Sequence, residues 1–159
     1  MMSHSYSIDE IDQKIVQLIQ QKPNLTHTEI ATHVSRSQPT VGMRIKKLEE
    51  AGILNFHAGI NLKDVDIYLA MVYISTNNPE KFISLVNECP SLVNSFRLTG
   101  EYNIIMMVAS FSIKEIERIV NKHFRNENDI TAIRVEFCTE VSEDFILPLN
   151  ILYEECNCH

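Results

Sequence analysis

The chain is poor in residues that break regular structure: its 159 positions include only four glycines and five prolines. That scarcity argues against a low-complexity chain and for one built mostly of helices and strands. A long apolar run is also missing. The longest, IYLAMVYI at 67–74, is far too short to cross a bilayer, and the N-terminal MMSHSYSIDE has no apolar signal core. These absences argue against a membrane partner and lead to an expected cytoplasmic location. There the four cysteines, Cys89, Cys138, Cys156 and Cys158, are expected to be reduced thiols and not a disulfide framework. No nucleophile–base pair, glycine-rich phosphate loop or paired-carboxylate motif stands out, so no enzyme is expected and no cofactor is required.

What is present is a globular composition, 45% apolar and 22% charged, with a formal net charge of −7. A chain of this length buries one good core or two small ones. The charge is unevenly divided. Residues 1–60 carry six cations and six acids, and residues 61–159 carry eight cations and fifteen acids. No acid occurs between Ile30 and Leu48, the stretch that holds Arg36, Arg44, Lys46 and Lys47. A locally basic surface on an acidic protein is compatible with a nucleic-acid partner.

Periodicity and capping signals divide the chain. Ser7 and Glu10 form a capping-box pattern ahead of Ile8, Ile11, Ile15, Leu18 and Ile19 at helical spacing, and that helix stops near Pro23. Thr26 and Glu29 form a second box, opening a short helix with Ile30, Ala31 and Val34 on its apolar face. After a turn at 35–37, a third helix starts near Ser37, buries Val41, Ile45 and Leu48, and ends at Gly52. With that stripe inward, Thr40, Met43, Lys46 and Lys47 point outward and Arg44 lies on the flank. This is a helix-turn-helix pattern whose third helix is shaped to enter a major groove, the alternative being a plain solvated helix face. Residues 53–62 then read as a short wing strand and a linker.

Beyond 67 the order is strand, helix, two strands joined by the turn TGEYN, a helix opened by a Ser112–Glu115 box, and a last alternating strand, ITAIRVEFCTEV. The first of these helices carries Phe82, Leu85, Val86 and Cys89, which place Cys89 in the core. The second is lined by Ile113, Ile116, Val120 and Phe124, with His123 near its inner face. The expected fold class is α+β: an N-terminal winged helix-turn-helix (1–60), a ferredoxin-like βαββαβ domain (61–150) and a tail (151–159). Both helices must cover one sheet face, which leaves the other to be covered by a second subunit.

Over about residues 7–150 the chain resembles the Lrp/AsnC family of prokaryotic transcription regulators. The resemblance lies in IDEIDQKIVQLIQQ, SQPTVGMRIKKLEEAGIL and LTGEYNII. It implies that this third helix is the recognition helix of a sequence-specific duplex-DNA binder, for which the outward and flanking residues of the turn and helix, Arg36, Ser37, Gln38, Thr40, Met43, Arg44, Lys46 and Lys47, are the expected contacts. It implies dimers formed through the sheets, often assembled into octamers or other higher oligomers. It also implies an amino-acid effector held at Leu98, Thr99, Gly100, Glu101, Tyr102 and Asn103, at a contact between dimers. The chain departs from the family pattern twice: Ser35 stands where the family usually has glycine, and Glu101 and Asn103 stand where its loop usually has aspartates.

Two other functions fit the same arrangement. One is a haem-pathway decarboxylase, which needs arginines and histidines around a tetrapyrrole; His4, His27, His33, His57, His123 and His159 show no such grouping in sequence. The other is a regulatory subunit that binds only a small molecule. In the tail, Cys156, Cys158 and His159 put three soft ligands in four residues, fit for zinc or a related ion. Oxidation of the two thiols, or a plain polar terminus, are the alternatives there.

Overall fold

The computed structural model describes residues 6–149, which divide into two units between His57 and Ala58. In the first, α1 (Glu10–Gln21) is capped by Asp9, whose carboxylate accepts from the Asp12 amide while Asp12 accepts from the Asp9 N–H. The box therefore sits two residues beyond the expected Ser7–Glu10 pair. The reason is tertiary: Asp12 is also held by Tyr6 and Arg44, which fixes it as the partner of the cap. α2 (His27–Val34) carries the Thr26–Glu29 box where the sequence predicts it. Ser35 follows with φ 52° and ψ 49°, the left-handed turn into α3 (Gln38–Glu50). Ser37 caps α3, Pro39 sits in its first turn, and Gly52 leaves it with φ 69°. Ile15, Ile19, Ile30, Val34, Val41, Ile45 and Leu48 form the core that joins the three helices.

The expected wing strand does not form. Residues 53–59 contain no strand; Leu54 closes the helical core instead. The strand β1 (Ile60–Asn61) belongs to the second unit, where it pairs antiparallel with β6 (Ile146–Leu147). Gly59 is required there. A Cβ at this position would lie 2.6 Å from Ile146 Cγ2 and 2.8 Å from the Leu147 carbonyl.

The rest of the second unit follows the expected order. β2 (Tyr68–Thr76) leads to α4 (Pro79–Ser84), which tightens into a 3₁₀ turn at Leu85–Asn87. β3 (Leu92–Arg97) and β4 (Ile104–Ser110) precede α5 (Ile113–Val120), which runs into a π-helical turn at Asn121–Arg125 and then β5 (Ile130–Phe137). The sheet order β3-β4-β2-β5, antiparallel throughout, is the ferredoxin-like arrangement. One face, with Ala70, Val72, Ile74, Met106 and Val108, packs on Phe82, Cys89, Ile116, Ile119 and Phe124. Ile113, expected in that lining, is 44% exposed, and Ile119 takes its place. Helical side chains lean toward the N-terminus, so one at the first position reaches past the end of the element.

The second sheet face is partly covered by its own chain. Leu69, Met107 and Ala109 are sealed by Leu62, Ile67, Val141, Phe145, Leu147 and Leu149. A second subunit is therefore not needed for all of that face. Tyr73, Phe96 and Ile105, paired in register across β2, β4 and β3, belong to the same face, with Phe96 45% exposed. No helix among the described residues is long and apolar enough to cross a membrane.

Candidate nucleic-acid interface

The burial of Val41, Ile45 and Leu48 fixes which way α3 turns its other residues. Gln38, Met43, Lys46 and Lys47 are exposed, Met43 by 55%. Lys46 has only a loose pair with Glu50 at 3.7 Å, a contact of little energetic weight on an open surface. Ser37 and Thr40 are committed to the start of the helix: their hydroxyls lie 2.7 Å apart and the Ser37 oxygen accepts from the Thr40 amide. Arg36 folds over the turn and donates to the Ser35 carbonyl at 2.9 Å. Gly42 lets α3 approach α2; a Cβ there would lie 3.2 Å from His27 Nδ1.

Arg44 turns away from this outward face. Its Nη1 donates to Asp9 Oδ2 at 2.8 Å and to Asp12 Oδ1 at 2.7 Å, and the arginine side chain is only 26% exposed. Asp12 is buried, and it also accepts from the Tyr6 hydroxyl at 3.0 Å. Hydrogen bonds to Asp12 and Asp9 hold the guanidinium pKa above its ordinary value. The Asp9 carboxyl is held below its own, first by the Asp12 amide and then by Arg44. Asp12 was not singled out from the sequence. The available signal was an acid three residues before Ile15 and seven before Ile19, on the buried stripe of α1.

The loop expected to hold an effector, Leu98–Asn103, closes the β3–β4 hairpin. The Leu98 amide donates to the Asn103 carbonyl and the Asn103 amide to the Ile74 carbonyl, both at 2.9 Å. The Asn103 side chain then extends the sheet: its Oδ1 accepts from the Thr76 amide at 3.1 Å and its Nδ2 donates to the Thr76 carbonyl at 2.7 Å. An aspartate could make only the first of these bonds. Thr99, Gly100 and Glu101 are exposed. The Tyr102 ring meets Tyr73 edge-on at 6.0 Å. Arg134, opposite Tyr73 in the β2–β5 register, stacks over both rings at 4.3 and 5.1 Å from their centres. Neither Tyr73 nor Arg134 was legible as part of this site, because only the strand register brings them to the loop.

An open cleft lies elsewhere, at the start of β2. It encloses about 690 Å³ between Leu62, Ile67, Tyr68, Phe111, Cys138 and Val141. Cys138 is exposed and Cys89 is buried in the core. Among the described residues no three His, Cys, Asp or Glu side chains are grouped to hold a metal ion. Cys156, Cys158 and His159 lie outside the described residues.

A helix-turn-helix with exposed lysines on its third helix, joined to a ferredoxin-like domain, fits the class of DNA-binding transcription regulators. The comparisons agree with this class. Residues 8–55 match the winged helix-turn-helix DNA-binding family, and residues 68–144 match the Lrp/AsnC ligand binding domain. The chain belongs to the Lrp/AsnC family of transcriptional regulators. It is 29% identical over 116 residues to the HTH-type transcriptional regulator Ptr1 of Methanocaldococcus jannaschii, covering 70% of this chain and 76% of that protein. It is 26% identical over 140 residues to the DNA-binding transcriptional activator DecR of Escherichia coli, covering 84% and 92%. A transcriptional regulator of Neisseria meningitidis, solved as a complex with L-Met, superimposes with a TM-score of 0.73 at 25% identity, over 91% of this chain and 98% of that one.

Proposed function

We propose that this regulator is a cytoplasmic, non-enzymatic homo-oligomer that reads duplex DNA with the outward face of α3. Gln38, Met43, Lys46 and Lys47 form the reading face, with Ser37 and Thr40 at the helix start and Arg36 on the turn. The carrying observation is that face itself. Its lysines are exposed, the sequence from Ile30 to Leu48 holds no acid, and Glu50 pairs only loosely with Lys46 at 3.7 Å. The decarboxylase alternative offers no reason for such a face. A genome-wide map of bound DNA tests the reading: recovered fragments should share one motif, and fragments with no common motif would count against sequence-specific binding.

The same reading gives the second unit an amino-acid-like effector at Leu98–Asn103. Support comes from the match to a ligand-binding family and from the L-Met complex of the Neisseria relative. Self-association through the part of the sheet that carries Tyr73, Phe96 and Ile105 would cover the apolar surface its own chain leaves open. A thermal-shift screen of the standard amino acids should find at least one that raises the melting temperature at millimolar concentration. If none does, the effector assignment fails while the DNA assignment stands. The tail makes a separate proposal: Cys156, Cys158 and His159 bind a soft ion such as zinc. Truncation after Tyr153 should abolish the bound ion, and stoichiometric zinc retained by the truncated chain would refute this.

A further inference from the structure

We infer that Arg44, although it belongs to the basic cluster of α3, is a positioning residue that aims the reading helix and makes no contact with phosphate. The argument starts from its partners. One guanidinium nitrogen serves two carboxylates at 2.7 and 2.8 Å, one of them on Asp12, a residue 1% exposed. If Arg44 swung out to a phosphate, Asp12 would stay behind as a buried carboxylate without its cation, a state far costlier than an exposed phosphate contact can offset. Lys46 and Lys47 face no such penalty, so they are the cations free to meet the backbone of the duplex.

The clamp also has a mechanical consequence. The apolar stripe Val41, Ile45 and Leu48 holds α3 against the core, but dispersion and hydrophobic contacts tolerate some rotation about the helix axis. Arg44 adds a directional tie from the middle of α3 to the first turn of α1, where Asp9 and Asp12 are themselves locked as a reciprocal cap. Tyr6 closes the network from the other side of Asp12. The direction in which Met43, Lys46 and Lys47 point is thereby set from α1.

A charge-neutral replacement of the pair separates positioning from contact. The probe is a duplex selected by the parent protein from a random pool, titrated across a salt series, with thermal unfolding of each variant. Lys47→Ala serves as the contact reference and should lower the salt slope by about one unit. Arg44→Gln alone should lower the melting temperature by more than about 5 °C and weaken binding about tenfold. Asp12→Asn combined with Arg44→Gln removes both charges and keeps a side-chain acceptor for Tyr6. It should return affinity to within about threefold of the parent and keep the parent's salt slope, with a change well below the roughly one unit that a lost contact produces. If the double variant binds as weakly as Arg44→Gln and loses about one unit of slope, Arg44 is a phosphate contact and the inference is overturned. The parent protein supplies a test independent of variant folding. Its Arg44 guanidinium NMR signal should keep its shift when the duplex is added, and a move to a new bound position would overturn the inference as well.

Discussion

Ser35 is the one described non-glycine residue with a positive φ, and it stands at the pivot of the helix-turn-helix. A left-handed conformation costs a residue with a Cβ about 1–2 kcal/mol, part of which glycine regains and part of which it loses to the entropy of its unfolded chain. Ser35→Gly should therefore stabilise the first unit by about 0.5–1 kcal/mol, read as a higher denaturant midpoint with an unchanged slope. Asn103 makes the opposite case. Asn103→Asp removes the donor to the Thr76 carbonyl and sets a carboxylate against it. A loss of about 1–3 kcal/mol at neutral pH follows. Protonation restores the donor, so the folded carboxyl pKa is raised above its unfolded value. The stability of that variant relative to the parent should be recovered at low pH and lost as pH rises. An Asn103→Asp variant with the parent's pH profile would show that the amide does not hold the loop. The amide was visible in the sequence as a departure from the family's aspartate. Its role was not, because Thr76 lies 27 residues away in the chain and meets Asn103 only through the β2–β4 register.

At the scale of elements, local chemistry was readable and distant pairing was not. Thr26, Ser37 and Ser112 cap their helices where the sequence placed them, since a cap oxygen and the amide that donates to it lie three residues apart. At Ser112 only half of the expected box forms, because the Glu115 carboxylate takes the Ser110 hydroxyl instead. The first cap was misplaced and the wing strand misassigned for one shared reason. Asp12 is fixed by a residue 32 positions away, and Ile60 pairs with Leu147. Gly59→Ala tests the second of these. The new methyl would collide with Ile146 and the Leu147 carbonyl, so amide exchange at β1 and β6 should accelerate while β2–β5 stay protected. Unchanged protection at Ile146 and Leu147 would contradict the tight approach. The caps also set a pH dependence for the first unit. Asp9 and Glu29 both have folded pKa values below their ordinary ones, Asp9 through the Asp12 amide and Arg44, Glu29 through the Thr26 hydroxyl and amide. Their contribution is present above the unfolded carboxylate values of about 4 and is lost as pH falls through the lower folded ones. Thermal unfolding of the first unit should be flat from pH 7 to about 5 and should weaken below about 4.

For the whole molecule, the division between a basic-faced helical unit and an acidic sheet unit implies separable tasks. The sequence showed this division through its charge, since all of the net −7 lies beyond residue 60. It did not show that the chain folds 141–149 back over part of one sheet face, because the apolar residues involved are scattered among polar ones. Residues 58–159 expressed alone should still self-associate in light scattering and should not bind duplex; a monomer at micromolar concentration would refute assembly through the sheet. The central claim is that the outward lysines of α3 meet the phosphates of a duplex. It is tested most directly by the salt dependence of binding for the parent and for Lys46→Ala combined with Lys47→Ala, on a duplex the parent selects. Each lost phosphate contact removes about 0.9 from the slope of log affinity against log salt, so the double variant should lose about 1.8 while melting at the parent's temperature. A folded double variant with the parent's affinity and slope would contradict the assignment of α3 as the reading helix.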